Sequence, residues 1–312
     1  MGIIKRFTKM KKVTTFKNKN LKMAAEMHLP HNFIETKKYP AIVCIHPAGG
    51  VKEQTIGMYA SRLAEFGFVV LTFDASFQGA SEGEPRYLED PTARVEDARA
   101  GADYLSTLPY IDTDRMGVFG ICAGGGYAIS VAQTEHRFKA VATVSAAPMG
   151  EGFRNFLGNE TPASVLLDML KNVGQQRTLE ANGGELLYVH WVPETKEEIN
   201  ENTPDLWREG HDYYKTPRGQ HPNSVNKYLF TGTDRMIAFS AFDQISTLLT
   251  QPILLIAGSK ADTRLFSEQA YSLAKGKKEL FIVEGATHIA LYDIPEYVNQ
   301  IVPKLVDFFQ AL

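Results

Sequence analysis

The sequence predicts an α/β fold built on a mostly parallel sheet, and three observations carry that expectation. Short apolar runs of strand length alternate with helical patterns along most of the chain. A glycine-rich turn at 120–126 joins one such run to an alanine-rich helix. Two later strand ends are followed by Asp262 and His288, in loops that an open parallel sheet gathers on one rim.

Val13 to Lys19 and Leu21 to Leu29 read as the strands of an opening hairpin, and Pro40 to His46 as a buried strand. A helix at about Thr55 to Phe66 follows, with Met58, Leu63 and Phe66 among its apolar positions, then a strand at Phe68 to Asp74. Pro91 suits a first turn and opens a helix to Leu108. Met116 to Ile121 is the strand before the glycine-rich turn; a helix to about Gln133 and a strand at Ala140 to Ser145 come after it. From 148 to 233 the rhythm breaks: the segment is richer in charged residues, Asn, Thr and aromatics, and is too long for a loop. It reads as a mostly helical cap inserted between core segments 1–147 and 234–312. The strands Pro252 to Gly258 and Glu279 to Glu284, with helices at Arg264 to Ala274 and Pro295 to Leu312, complete an eight-stranded sheet flanked by helices.

The turn Gly120-Ile121-Cys122-Ala123-Gly124 has the pattern of a nucleophile elbow, with cysteine where serine is usual. Glycines two positions to either side leave room where a Cβ would meet neighbouring backbone. The following helix aims its free N–H groups and positive dipole end at the sulfur, so a thiolate is expected to be favoured. Two other readings compete: a close helix-to-sheet contact around an inert buried cysteine, and a dinucleotide-binding turn. The second fails, because Cys122 stands where G-x-G-x-x-G needs glycine and no acidic residue follows the next strand at the right distance.

A nucleophilic thiol needs a base and a group to orient it. Asp262 and His288 follow Cys122 in the order nucleophile, acid, base, so the three are the expected triad. Taken singly, Asp262 could cap the next helix, and His288 is one of 8 histidines. Ala123 and Ala48 are the expected oxyanion-hole donors, since Pro47 has no N–H and Gly49 is the alternative. His46, in a His-Pro turn, reads as support for that loop rather than as a second base. The polar loop from Asp74 to Tyr87, with Ser76, Gln78 and Arg86, is expected to border the site. Gly49, Ser76, Tyr213 and Tyr214 are the candidate substrate contacts. Trp191, Trp207 and Tyr228 join the two tyrosines as aromatic residues that would either line the cap or form its core.

A net charge of −3 and the lack of a basic cluster interleaved with aromatics argue against nucleic acid. The apolar runs fall short of a membrane span. Two cysteines, Cys44 and Cys122, fit a reducing cytoplasm better than a disulfide scaffold. The basic N-terminal stretch lacks an apolar signal region, so residues 1–12 read as a flexible arm, with either Met1 or Met10 as the start. No metal or cofactor is expected; the partner is a small-molecule acyl substrate, and a homodimer is compatible with the composition.

With the His46-Pro47-Ala48-Gly49-Gly50 loop, the elbow, and the loops of Asp262 and His288, the chain resembles the α/β-hydrolase superfamily over nearly its whole length. The elbow and the Phe73–Gly79 loop are similar to a cysteine-bearing branch of uncharacterised bacterial hydrolases and fungal polyketide transferases, more distantly related to X-Pro dipeptidyl-peptidase type hydrolases. Dienelactone hydrolases share the Cys, Asp, His triad but carry a carboxylate where this chain has His46 and Pro47.

The expected function is hydrolysis of an ester or thioester through a thioester acyl-enzyme. Acyl transfer by the same triad is one alternative, because thioesters react readily with amines and thiols. A small-molecule binder that has lost turnover is the other.

Overall fold

A computed structural model describes residues 10–312 of the protein. The chain opens with an antiparallel hairpin, β1 (Met10–Asn18) and β2 (Leu21–Leu29), in which Met10 pairs with Leu29 and Asn18 with Leu21. Residues 10–12, expected in a flexible arm, are therefore strand: their backbone continues the ladder, and Lys11 Nζ donates to Glu26 at 2.8 Å. The remainder of that expected arm lies outside the described residues.

The core then alternates as β3 (Tyr39–Ile45), α1 (Thr55–Ala64), β4 (Val69–Phe73), α2 (Pro91–Ser106), β5 (Ile111–Ile121), α3 (Ala123–Ala132) and β6 (Phe138–Val144). An excursion follows, comprising α4 (Met149–Arg154), β7 (Asn155–Phe156), β8 (Asn159–Glu160), α5 (Ala163–Ala181), β9 (Tyr188–His190), α6 (Asp205–Tyr214) and β10 (Lys227–Leu229). The chain returns through α7 (Thr233–Ala238), α8 (Ile245–Leu248), β11 (Ile253–Gly258), α9 (Arg264–Leu273), β12 (Lys278–Val283), α10 (Ala290–Asp293) and α11 (Pro295–Gln310). The large sheet has eight strands in the order β1-β2-β4-β3-β5-β6-β11-β12; β2 runs antiparallel to both neighbours, β1 and β4, and the strands from β4 to β12 in that order pair in parallel.

Period-two patterning splits each central strand between two apolar layers. Ala41, Val43 and Ile45 of β3 face the layer shared with α2, α3 and α9, whereas Ile42 and Cys44 face α1 and α11. Cys44 is fully buried there, and burial pushes its thiol up, as suits an inert packing residue. The closing helix α11 starts at Pro295 and buries Val298, Ile301, Val302, Leu305, Val306 and Phe309, one face at helical spacing.

The excursion covers the rim but is less helical than expected. Its segments 182–204 and 215–226, with Gly183, Gly184, Pro193, Pro204, Pro217 and Gly219, break the helices into loops around two short ribbons. It is seated by Gln54 Nε2 on the Gly219 carbonyl at 2.7 Å and by the Ser224 hydroxyl on the Gly49 carbonyl at 2.7 Å. Arg218 also pairs with Asp293 at 2.6 Å.

The elbow is built on a close helix-to-strand approach. A Cβ on Gly124 would stand 2.2 Å from the Ile45 carbonyl oxygen, and one on Gly120 would stand 2.0 Å from that of Gly124. Gly124→Ala is therefore expected to cost about 1–3 kcal/mol by overpacking, read as a lower urea midpoint; an unchanged midpoint would show that α3 can slide off β3.

Candidate active site

Cys122 sits between β5 and α3 with φ 57° and ψ −125°, a strained conformation held by the Cys122 N–H on Val144 and the Gly125 and Ala147 N–H groups on Cys122 O. The backbone N–H groups of Ala123 and Ala48 face Sγ as donors, and the Tyr292 hydroxyl lies against the sulfur. Burial nevertheless raises the thiol pKa, and these donors only partly offset it. The thiolate expected from the helix end is thus not the resting form; desolvation outweighs a half-charge of dipole.

Ala48 is held in place by a buried polar cluster beneath its loop. His46, wholly buried, has Nδ1 2.6 Å from the Pro47 carbonyl, while Nε2 accepts from the Ala75 N–H at 3.0 Å. Burial, then the charge of Arg94, lowers its pKa well below the ordinary range, so the ring is neutral with the proton on Nδ1. Arg94 donates through Nη2 to the His46 carbonyl at 2.5 Å and through Nη1 to Nε2 at 3.0 Å, and its guanidinium lies 5.0 Å from the Tyr127 ring centroid. Its Nε stands 3.5 Å from Glu89 Oε1, an ion-pair distance without hydrogen-bond geometry. Glu89 also accepts from the Tyr127 hydroxyl at 2.7 Å and from Gln78 Nε2 at 2.5 Å. A carboxylate thus comes close enough to Cys122 to raise its pKa, from the start of α2 rather than from the end of β3.

His288 is 1% exposed, and burial alone depresses its pKa to about 3. Its Nε2 lies 3.3 Å from the Tyr292 hydroxyl, which also touches Cys122 Sγ, and its Nδ1 lies 2.5 Å from the Thr263 hydroxyl. Asp262, expected at that position, is elsewhere. Its Oδ2 accepts from the Leu206 N–H at 3.1 Å in the first turn of α6, and its buried Oδ1 has no partner among the described residues. The loop after β11 does supply the group that meets His288, one residue later than expected, while Asp262 caps a helix of the excursion. Tyr292 and Thr263 were the unforeseen members. The four-residue spacing from His288 to Tyr292, one helical turn, was the available signal.

Above Cys122 lies a cavity of about 400 Å³, within the range of small-molecule sites. Its walls include Phe153, Phe156, Val189, Trp191, Val192, Trp207, Tyr214, Tyr228 and Ile289, and no Asp, Glu, Lys or Arg lines it. Of the expected substrate contacts, Tyr214 is on this wall. Ser76 is not: its hydroxyl and N–H are consumed by Asp97 at 2.5 and 2.8 Å, 2% exposed beneath the polar loop. Tyr213 packs edge-on behind Tyr292 at 5.2 Å rather than facing the cavity. Gly49 forms a left-handed turn (φ 66°) against Trp191 and Asn226.

This fold, with its strained Cys122 at the rim under an inserted cap, defines a class: the chain belongs to the α/β-hydrolase superfamily. Residues 23–150 match the Dienelactone hydrolase family. The chain is 40% identical over 299 residues to the uncharacterised protein YcjY of Escherichia coli (strain K12), covering 95% of this chain and 96% of that one. The crystal structure of hypothetical protein PA2218 from Pseudomonas aeruginosa superposes with a TM-score of 0.90 at 36% identity, over 97% of this chain and 94% of that one. Acyltransferase drtE of Aspergillus calidoustus is 24% identical over 279 residues, 88% and 87% of the two chains. No helix among the described residues is long and apolar enough to cross a membrane.

Replacing Arg94 by Met would leave Glu89 buried without its guanidinium partner and loosen the His46 carbonyl. Arg94→Met is expected to cost about 3–5 kcal/mol in urea unfolding; a loss below about 1 kcal/mol would mean that the loop of Ala48 does not depend on the guanidinium.

Proposed function

We propose that the protein is an acyl hydrolase acting on an ester or thioester with Cys122 as nucleophile. The observation that carries this reading is the convergence of the Ala48 and Ala123 N–H groups on Cys122 Sγ at the floor of the cavity. Donors aimed at the sulfur are positioned to hold the oxygen of a carbonyl that the sulfur attacks.

The resting pair is a neutral thiol and a neutral imidazole, bridged by Tyr292. On attack, the thiol proton passes to the Tyr292 oxygen as the tyrosyl proton passes to His288 Nε2. The new C–S bond forms, the carbonyl π electrons move to oxygen, and the oxyanion is held by Ala48 and Ala123. Collapse expels the alkoxide or thiolate, which regains the proton from imidazolium through Tyr292. Water, activated by the same imidazole, then cleaves the acyl-cysteine. With Nδ1–H donating to its hydroxyl, Thr263 keeps the Nε2 lone pair toward Tyr292. Acyl transfer is the second reading, supported by the likeness to a relative named for it; an amine or thiol then replaces water at the last step.

With p-nitrophenyl butanoate, the wild type is expected to release a burst of nitrophenol and gain a butanoyl adduct by intact mass spectrometry, both absent in Cys122→Ala. Added thiol or amine acceptors that take up the acyl group would turn the assignment to transfer. Turnover unchanged in Cys122→Ala would remove Cys122 as nucleophile, and tight binding of the ester without adduct or turnover would make the protein a binder.

Because His288 is protonated only near pH 3 and the thiol ionises above its usual range, kcat/KM is expected to be flat between about pH 5 and 8. An inflection between pH 6 and 7 would instead indicate a thiolate–imidazolium pair. On the same assay Thr263→Val is expected to lower kcat at least tenfold and Asp262→Asn less than threefold; the reverse order would return the orienting role to Asp262.

A further inference from the structure

The cavity wall holds polar atoms that the protein leaves bare. Asn226 is 1% exposed, yet neither its Nδ2 nor its Oδ1 has a hydrogen-bond partner among the described residues. The Trp191 Nε1, on the same wall, is likewise buried and without a hydrogen-bond partner among the described residues. An unpaired buried amide is costly, because its lost hydration is not repaid. The backbone explains only part of the choice of residue at 226. Its φ is 56°, a left-handed conformation that Asn tolerates and glycine would adopt freely. An asparagine kept for that turn alone would bond its carboxamide to nearby backbone; this one has no such bond, and the residue lines the cavity.

The position is also defined. Asn226 and Trp191 are joined by the Trp191 N–H on the Asn226 carbonyl at 3.0 Å, and both side chains crowd Gly49, next in the chain to Ala48. The carboxamide therefore lies beside the loop that carries Ala48. Donors outnumber acceptors, and no Asp, Glu, Lys or Arg lines the wall to balance an ionised ligand, while His190 on it is engaged with Glu194 at 2.8 Å.

We propose that Asn226 and Trp191 form a subsite for a neutral oxygen on the acyl chain, a hydroxyl or oxo group. The substrate class is thus a hydroxyacyl or oxoacyl ester or thioester. This proposal rests on the acyl-enzyme reading for the placement of the carbonyl, but its test needs no turnover. A site equipped to bond such an oxygen discriminates against the chain that lacks it, since the plain chain leaves donors dry.

Binding is measured by calorimetry on Cys122→Ala with four S-methyl thioesters: butanoyl, 3-hydroxybutanoyl, hexanoyl and 5-hydroxyhexanoyl. At least one hydroxyacyl ligand is expected to bind tenfold or more tightly than its plain partner. The preference is expected to vanish in Cys122→Ala/Asn226→Gly, where glycine keeps the turn, and to weaken in Cys122→Ala/Trp191→Phe, where the ring remains. Equal binding within each pair, no binding of any of the four, or a preference that survives both substitutions would overturn the subsite. A failure of Cys122 as nucleophile is read separately, from wild-type turnover that persists in Cys122→Ala.

Discussion

The site depends on the close approach of Gly124 to the carbonyl oxygens of Ile45 and His46. A Cβ there would lie 2.2 and 2.8 Å from them, so only a hydrogen at that position lets α3 seat against the end of β3. That seating brings the two N–H groups that point at Cys122 Sγ, one from the helix and one from the loop after β3, into a single pocket. They come from elements 75 residues apart in the chain, and the contact that unites them involves no side chain. The Arg94 guanidinium then fixes the loop from below through the His46 carbonyl.

Electrostatics at the site are governed by burial more than by charge pairing. The helix end, the hydroxyl of Tyr292 and two N–H groups all favour a thiolate, and desolvation still prevails. The same penalty keeps His288 and His46 neutral. A neutral thiol beside a neutral base needs no counter-ion, which accords with a cavity wall free of Asp, Glu, Lys and Arg. In the proposed mechanism, reactivity comes from proton movement during attack, along the path from Sγ through Tyr292 to His288.

Much of the fold was legible in the sequence because its signals are local. Eight strand-length runs became the eight strands of the large sheet, and Pro91 and Pro295 do open helices. The elbow was equally readable, since a strained turn demands small residues at fixed offsets. What escaped were properties set by three-dimensional company. Nothing in the sequence around Asp262 announces a bond to Leu206, because α6 arrives from a segment 56 residues earlier. Ser76 looked like a free hydroxyl until Asp97 and Asn18 closed around it. The proximity of Tyr213 and Tyr214 in the chain hid that one faces the cavity while the other packs behind it. The segment over the rim was the least legible, for its short ribbons carry too few residues to show a period.

The excursion's attachment points lie on the loops that carry the chemistry. Asp262, next to Thr263, caps α6; Thr287, next to His288, donates to Glu209 at 2.6 Å; and the Gly49 carbonyl, next to Ala48, accepts from Ser224. Each hinge point is therefore one peptide bond from a working group. Cover and site are therefore coupled through the loops of Thr263, His288 and Ala48. Exchanging the cover for another would remove half of each of these contacts, so a change of pocket that keeps the site intact is confined to residues that face inward from the cover and leave these moorings in place.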